Sequence, residues 1–407
     1  MHGIGQPLGA AVPDPVEHLP LLRKTADQLD AVWVSEHLSF NRVAIGATVA
    51  ESGFLLPPCQ NEASVRIAAR NVASYRTALE RPVAFETGVN YLQPQDDELS
   101  DGQFWRRIAD GADSGILLDL HNLWCNELNG RQRVLDVIDQ LPLDRVWEIH
   151  LAGGMALAGY WLDSHSDRIP APLLDLAAQI IPRLPNLSAL MYELLPEHFD
   201  SLGTDGVAEQ VAALSQLWQL RSPVTYSCLN AGRQPGEPSS ADLLTSQVWE
   251  VALFRAILGE QSPGDRHRWL IDDPGVGVYR ELVSDFRRGA LARTLRYTMT
   301  LLLLSLGRQR TGELLDSFFI RCPAQSYRAV EADNFARFLG DRSDLLRQIR
   351  YLGEVLRFEH ALVRAVVFDE ATHLEWTIDP TAVLQALDRG QLPESLPAAP
   401  SSMRISV

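Results

Sequence analysis

Cysteine is scarce and unpaired: Cys59, Cys125, Cys228 and Cys322 are the only four in 407 residues, far apart and without a C-x-x-C spacing. That excludes a zinc knuckle and a disulfide framework, and reduced thiols are expected. Long apolar runs are absent too. Thr298 to Leu306 falls far short of the roughly 20 residues a bilayer span needs, and Arg293, Arg296 and Arg308 flank it. No transmembrane helix and no membrane partner are expected. The opening Met1-His2-Gly3-Ile4-Gly5 has neither a basic leader nor an apolar stretch of signal-peptide length, which makes the cytoplasm the expected location. Basic residues are in deficit, 36 against 52 acidic ones, and the formal net charge of -16 repels a phosphate backbone. Nucleic acid is therefore not an expected partner. No internal repeat is visible.

What is present is the composition of a folded chain, 46% hydrophobic and 22% charged. At about 150 residues per domain its length allows two or three domains. Up to about residue 220, short apolar runs alternate with longer helical stretches. The runs are Ala31 to Val34, Pro82 to Phe85, Gly115 to Leu118, Arg145 to Trp147 with Ile149, and Leu187 to Tyr192. Between them lie segments of helical period: 16–29, 62–79, 102–112, 173–184 and 207–218. Uniformly apolar strands alternating with helices indicate a parallel sheet covered by helices. Residues 221–245, rich in Pro, Gly and Ser, read as a linker. A mostly helical domain is expected over 246–370. The extension 371–407 contains a Pro-rich loose tail from Gly390 to Pro400.

Each apolar run ends in polar residues: Ser35-Glu36-His37, Glu86-Thr87-Gly88, Asp119-Leu120-His121-Asn122, Glu148-Ile149-His150, and Glu193. In a parallel βα barrel such strand ends converge on one face, so these clusters are expected to meet. The fold class is therefore α/β, a TIM-type (β/α) barrel followed by a mostly α-helical domain. The count does not close: with His2-Gly3-Ile4-Gly5 as a strand end there are six strand-helix units, where a closed barrel of this type has eight. The expectation is a barrel lacking its first two βα units, through a misplaced start or trimming. The alternative is an open sheet whose gap another segment or chain fills.

Seven of the ten histidines precede residue 200. His37, His121, His150 and His165, with Glu86, Asp119, Asn122, Asp163 and Glu193, form a set of imidazole and oxygen donors without thiolate. Such a set suits iron, manganese or zinc. It exceeds the three or four protein ligands of one catalytic metal, which points to two or three ions sharing carboxylates. Asp163 and His165 share a face of an extended segment and can reach one cluster. His121 reads as a hydrogen-bonded structural residue, opposite Asn122 if the strand period of two persists, and His18 and His198 read as structural too. Glu36 and Glu148 either orient the neighbouring imidazoles or lie in salt bridges.

The runs Val34-Ser35-Glu36-His37-Leu38, Phe85-Glu86, Gly115 to Asn122, Glu148 to Gly153, and Asp163-Ser164-His165 together resemble the multinuclear non-heme iron-dependent oxidative enzymes. These are the MbnB/TglH-like, peptide-modifying enzymes that include the methanobactin-type oxidase. The resemblance spans roughly residues 1–220 and implies a TIM-type barrel with two or three irons, dioxygen as co-substrate, and a precursor peptide modified at cysteine. It implies that His2 and His37 bind one iron, and that Glu86, Asp119, Asn122, His150, Asp163, His165 and Glu193 supply the rest. It further implies a ferrous ion that takes the substrate thiolate beside activated dioxygen, and a four-electron oxidation to a heterocycle next to a thioamide. Leu194-Leu195 stands where related chains often have Trp-Asp, which removes an acid/base group. The helical half resembles the partner proteins that present the peptide, at Tyr279-Arg280-Glu281-Leu282, Ala290 to Leu295 and Phe358 to Leu362. Ordinary core helices give the same patterns. A separate peptide-presenting partner protein belongs to the same picture, and a leader-peptide groove is expected among the helices after Ser246. Two other readings remain open: a zinc- or manganese-dependent barrel hydrolase or isomerase, and a non-catalytic peptide-binding scaffold.

Overall fold

Strands form where apolar residues run without interruption. In the computed structural model of this chain the described residues are 1–3, 5–12, 19–223, 235–260, 265–325 and 327–406. Ile4, His18, Cys228 and most of the expected linker, 224–234, lie outside the described residues. The chain divides into two compact units, residues 1–49 with 55–280, and residues 50–54 with 281–407.

The first unit opens with β1 (His2–Gly3), α1 (Leu19–Gln28), β2 (Val34–His37), an antiparallel hairpin of β3 (Phe40–Ile45) and β4 (Thr48–Leu56), and α2 (Glu62–Leu79). Then follow β5 (Val83–Glu86), α3 (Asp101–Ala112), β6 (Gly115–Asp119), α4 (Leu120–Leu128), α5 (Val134–Gln140) and β7 (Val146–Ala152). A second hairpin, β8 (Met155–Leu157) and β9 (Tyr160–Leu162), leads to α6 (Ala171–Ile180), β10 (Ala189–Glu193), α7 (Phe199–Trp218), α8 (Ser240–Ile257) and α9 (Pro274–Thr294), whose last turns enter the second unit. Six strands make one parallel sheet in the order β1-β2-β5-β6-β7-β10. All residues of β5, β6 and β7 are buried, as expected of a sheet covered on both faces. Among the described residues β1 pairs with β2 alone and β10 with β7 alone, so the sheet is a curled half-barrel of six strands, not a closed barrel of eight.

Local chemistry sets these elements. Asn61 caps α2, its side chain accepting from the Ser64 N–H, and α2 spans the very residues whose helical period is read from the sequence. Gly115 opens β6 because a Cβ there would run into the Trp147 indole on β7. The apolar core beneath the sheet gathers Val72, Phe85, Phe104, Ile108, Leu118, Ile138, Ile149 and Leu173.

The second unit is mostly helical: α10 (Arg296–Arg321), α11 (Arg328–Gly340), α12 (Ser343–Gln348), α13 (Leu352–Phe368) and α14 (Pro380–Asp388). Its core packs Leu302, Phe318, Phe335, Leu339, Leu352 and Val355. The apolar run 298–306 ends at Gly307, whose φ of 76° interrupts α10. No helix among the described residues is long and apolar enough to cross a membrane. Residues beyond the expected loose stretch 390–400 form β12 (Ser401–Ile405), which pairs antiparallel with β11 (Thr372–Trp376). The Pro-rich stretch before them is tied as well, Ala399 N–H donating to Thr377 O and Leu396 N–H to the Tyr351 hydroxyl.

Glu250 on α8 is 1% exposed and accepts one bond, from the Ala11 N–H at 2.6 Å, while its Oε2 has no partner. Burial pushes its carboxyl up to about 8, against an ordinary value of 4.5. The folded chain then holds a proton that the unfolded chain releases, so stability declines as pH rises from 4.5 to 8, by about 1.4 kcal/mol for each pH unit crossed. Glu250→Gln keeps the acceptor for Ala11 and removes the charge. Denaturant melts at pH 5 and pH 8 are expected to find the variant nearly unchanged at the lower pH and clearly more stable than the parent at the higher.

Candidate metal centre

Parallel register brings the polar strand residues side by side. His37 on β2 stands beside Glu86 on β5, and Asp119 on β6 beside His150 on β7. Glu86 is the hub. Its Oε2 lies 3.0 Å from His37 Nε2 and 3.2 Å from His2 Nε2. Its Oε1 lies 3.6 Å from His150 Nδ1, which in turn approaches Glu193 Oε1 at 2.9 Å. Two groups of donor atoms, each within 4.8 Å of one another, share that carboxylate: His2, His37 and Glu86, and Glu86, Asp119, His150 and Glu193.

Asp163 and His165 adjoin the second group. His165 Nε2 is 2.9 Å from Asp163 Oδ1 and 3.3 Å from Glu193 Oε2. His165 holds a left-handed φ of 47°, uncommon for a residue other than glycine and worth noting at a functional site. Asn122 completes the set from the first turn of α4. Its Nδ2 donates to Thr87 O at 3.2 Å and its N–H to Asp119 Oδ1 at 2.8 Å. All nine residues that the resemblance implicates are thus contiguous around Glu86.

Several of these atoms are close without being hydrogen-bonded. Glu86 Oε2, Asp119 Oδ2, Asn122 Oδ1, His150 Nδ1 and His165 Nε2 are buried and have no hydrogen-bond partner. Orphaned buried polar atoms are rare and costly. Five of them converging from imidazole, carboxylate and amide groups fit a cluster of hard or borderline cations.

The charges tell the same story. Burial acts to lower the His37 pKa, but Glu86 and Glu36 hold it well above its ordinary value. Burial opposes protonation of His150 as well, yet Glu148, Glu193 and Glu86 raise it to about 12. His165 rises to about 10, where Asp163 and Glu193 outweigh burial. Conversely, burial would raise Glu86, but His37, His150 and His2 hold it well below the carboxylate range. Asp163 is held low in the same way, chiefly by His165 and His121 against burial. Asp119 is the exception: burial and the neighbouring Asp163, Glu86 and Glu193 drive it well up. The imidazoles and carboxylates of the site thus set one another's charge.

A supporting layer stands behind these donors. Glu36 Oε1 is 3.3 Å from His37 Nδ1 and also accepts the His37 N–H at 2.9 Å. Glu148 Oε1 is 3.3 Å from His150 Nε2, and its Oε2 accepts from Trp33 Nε1 at 3.1 Å. Ser35 Oγ is 3.0 Å from His2 Nδ1. Both glutamates therefore sit on the far nitrogen of an imidazole, where a carboxylate fixes tautomer and ring direction. Ser35 and Thr87 belong to the polar strand ends read from the sequence, though not to the ligand set, whereas Trp33 escapes that reading because its partner Glu148 lies 115 positions away. The strand period does not carry past Asp119: Leu120 begins α4, so His121 and Asn122 are helical neighbours and not opposite faces of a strand. His121 is buried, with Nδ1 2.8 Å from Asp163 Oδ1. His198 belongs to a short turn of 3-10 helix, Pro196–His198, after β10.

Residues 1–194 match the model of a family described as the RiPP precursor modification enzyme MbnB/TglH/ChrH. A UPF0276 protein of Chromobacterium violaceum is 32% identical over 184 residues, 45% of this chain and 65% of that protein. One from Streptomyces avermitilis is 30% identical over 185 residues, 45% of this chain and 38% of its own length. One from Anaeromyxobacter is 28% identical over 191 residues, 47% of this chain and 66% of the relative. The match therefore spans between 38% and 66% of the length of these relatives. Among solved structures, a D-psicose 3-epimerase with D-tagatose from Clostridium cellulolyticum aligns with a TM-score of 0.35 and 12% identity, over 53% of this chain and 75% of the epimerase. The βα portion of this chain, which carries all nine donors, is thus the portion that matches a family of enzymes modifying ribosomally made precursor peptides.

Proposed function

We propose that this chain is a multinuclear non-heme iron-dependent oxidase that modifies cysteine residues of a ribosomally synthesised precursor peptide with dioxygen. The observation that carries the reading is the buried Glu86 carboxylate shared by two groups of nitrogen and oxygen donors, several with orphaned lone pairs. A carboxylate presenting one oxygen to His2 and His37 and the other to His150 would serve both groups of donors. The family matched over residues 1–194 supports a peptide as the substrate.

His2, His37 and Glu86 would hold one ion, and Glu86, Asp119, Asn122, His150, Asp163, His165 and Glu193 the rest. Bound iron would supply a Lewis acid that favours thiolate over thiol and a redox couple for reducing dioxygen. The overall reaction balances, since four electrons and four protons withdrawn from the peptide convert one dioxygen to two waters. The protein's own nearby thiol is kept out of this chemistry. Cys125 is fully buried, and burial together with Asp163 and Asp119 holds its pKa well up, so it does not compete as a thiolate. Glu148, fixed by Trp33, takes the far nitrogen of His150, and Glu36 that of His37, which leaves His150 Nδ1 and His37 Nε2 turned to the cluster. The side chains of His2, His37, His165 and Glu193 are 21–24% exposed, against 1% for His150, and mark the side from which a peptide can reach the donors.

Metal content and iron oxidation state of anaerobically purified protein test this reading directly. Two or three irons per chain are expected. Glu86→Gln should lose more than one of them because it serves both groups, whereas His2→Ala should lose no more than one. Stoichiometric zinc without iron would favour a hydrolase, and absence of any metal would leave a scaffold.

Uptake of the ions would also expel protons, because neighbouring carboxylates raise His37, His150 and His165 above the ordinary imidazole value. Their raised values mean that protons compete with metal, so affinity rises with pH by about tenfold per unit for each proton displaced. Titration calorimetry of manganese into the metal-free chain at pH 7, in buffers of different ionisation enthalpy, is expected to show net proton release. Metal binding that is independent of pH between 6 and 9 would contradict the charge balance described above.

A further inference from the structure

The hairpin β8–β9 reaches back to the cluster through one side chain. Its two-residue turn, Ala158-Gly159, has left-handed φ values of 50° and 86°, as tight hairpins require. Asn129, just past α4, grips the hairpin at two points: Nδ2 donates to Trp161 O at 2.9 Å, and Oδ1 accepts the Trp161 N–H at 2.8 Å. The Trp161 ring packs edge-on against Trp124, 5.3 Å between centroids, and its Nε1 donates to His121 Nε2 at 3.3 Å. Gly154 makes this meeting feasible, since a Cβ there would sit 2.6 Å from Trp161 Nε1 and 2.8 Å from His121 Nε2.

An indole nitrogen only donates, so His121 Nε2 must accept. The ring proton then resides on Nδ1, which donates to Asp163 Oδ1 at 2.8 Å. Both ring nitrogens of His121 are thereby committed, and neither is free for a metal. The Asp163 backbone is fixed independently, its N–H donating to the Tyr91 hydroxyl at 3.1 Å. Resting on the metal-centre reading above, we infer that Trp161 is a positioning residue for that centre: its N–H anchors the His121 ring at Nε2, so that the Nδ1–H of the same ring holds the Asp163 carboxylate beside His165.

The inference gives Gly154, Trp161, His121 and Asn129 one shared purpose. Asp163 and His165 directly follow β9, so the seating of the hairpin on α4 decides where these two donors stand. Without the indole N–H, the His121 ring loses its anchor on the Nε2 side, and the Nδ1–H bond to Asp163 is left as its main orienting contact.

Long-range proton–nitrogen correlation spectra of the full chain, metal-free and loaded with zinc, report the tautomer. The His121 signals are identified by their loss in His121→Asn. The Nδ1–H pattern is expected in the parent chain, and in Trp161→Phe, which keeps an aromatic ring beside Trp124 but removes the donor, the Nε2 signal is expected to move toward that of an unbonded lone pair. In zinc titrations Trp161→Phe should weaken the ion held by Asp163 and His165 by about 10- to 100-fold, and leave binding at His2 and His37 unchanged. An Nε2–H or doubly protonated His121 in a chain that binds zinc overturns the positioning role alone, as does unchanged zinc affinity in a folded Trp161→Phe. If that variant does not fold, the tautomer in the parent chain decides. A chain that takes up no ion overturns the metal centre itself, and the positioning role with it, whatever the tautomer.

Discussion

A carboxylate buried in the middle of a parallel sheet is unfavourable unless opposite charge surrounds it, and the arrangement around Glu86 answers that constraint. Three imidazoles approach its two oxygens from three different strands. Each imidazole needs a further acceptor or hydroxyl behind it to point the correct nitrogen inward. Ser35, Glu36 and Glu148 fill those positions, and Trp33 secures Glu148 in turn. One buried charge thus propagates outward through a layer of directed hydrogen bonds, and the polar strand residues cease to be anomalies of an apolar sheet. They are buried because the cluster needs them there.

The sheet itself was legible because its interior strands are apolar throughout. β5, β6, β7 and β10 lie within a few residues of the runs read from the sequence, and the donors follow from where those runs end. The pattern misled at β2. The apolar residues 31–34 suggested a strand, yet the strand is Val34–His37, because Ser35, Glu36 and His37 are themselves strand residues with polar partners inside. Both hairpins escaped the reading: β3–β4 and β8–β9 have short or mixed strands with no alternation strong enough to stand out. The supporting layer was illegible for a different reason. Trp33 with Glu148, or Trp161 with His121, pairs residues 115 and 40 positions apart, and no local spacing encodes such contacts.

The closure of the barrel shows how counting and chemistry can diverge. Six strands fall short of the eight that a closed barrel requires, and among the described residues the sheet is accordingly open at β1 and β10. Yet the donors come from all six strands and from the segments that follow β6 and β9. Neighbouring strands supply neighbouring donors in register, His37 beside Glu86 and Asp119 beside His150. Convergence on one face therefore arises from strand order and pleat, properties that a curled open sheet shares with a closed barrel.

That distinction matters for what holds the exposed side of the cluster. His150 and Asp119 sit on interior strands, fixed by neighbours on both sides, whereas Asp163 and His165 come from a loop. Sites built on loops need a second device to attain the precision that strands give for nothing. Here the loop is shortened into a hairpin, gripped by Asn129, and pinned by an indole that glycine alone leaves room for. The left-handed backbone of His165 is the residual strain of bringing that segment back to Glu193. Precision that the sheet supplies to His150 and Asp119 through register is supplied to Asp163 and His165 through the side chains that seat their loop.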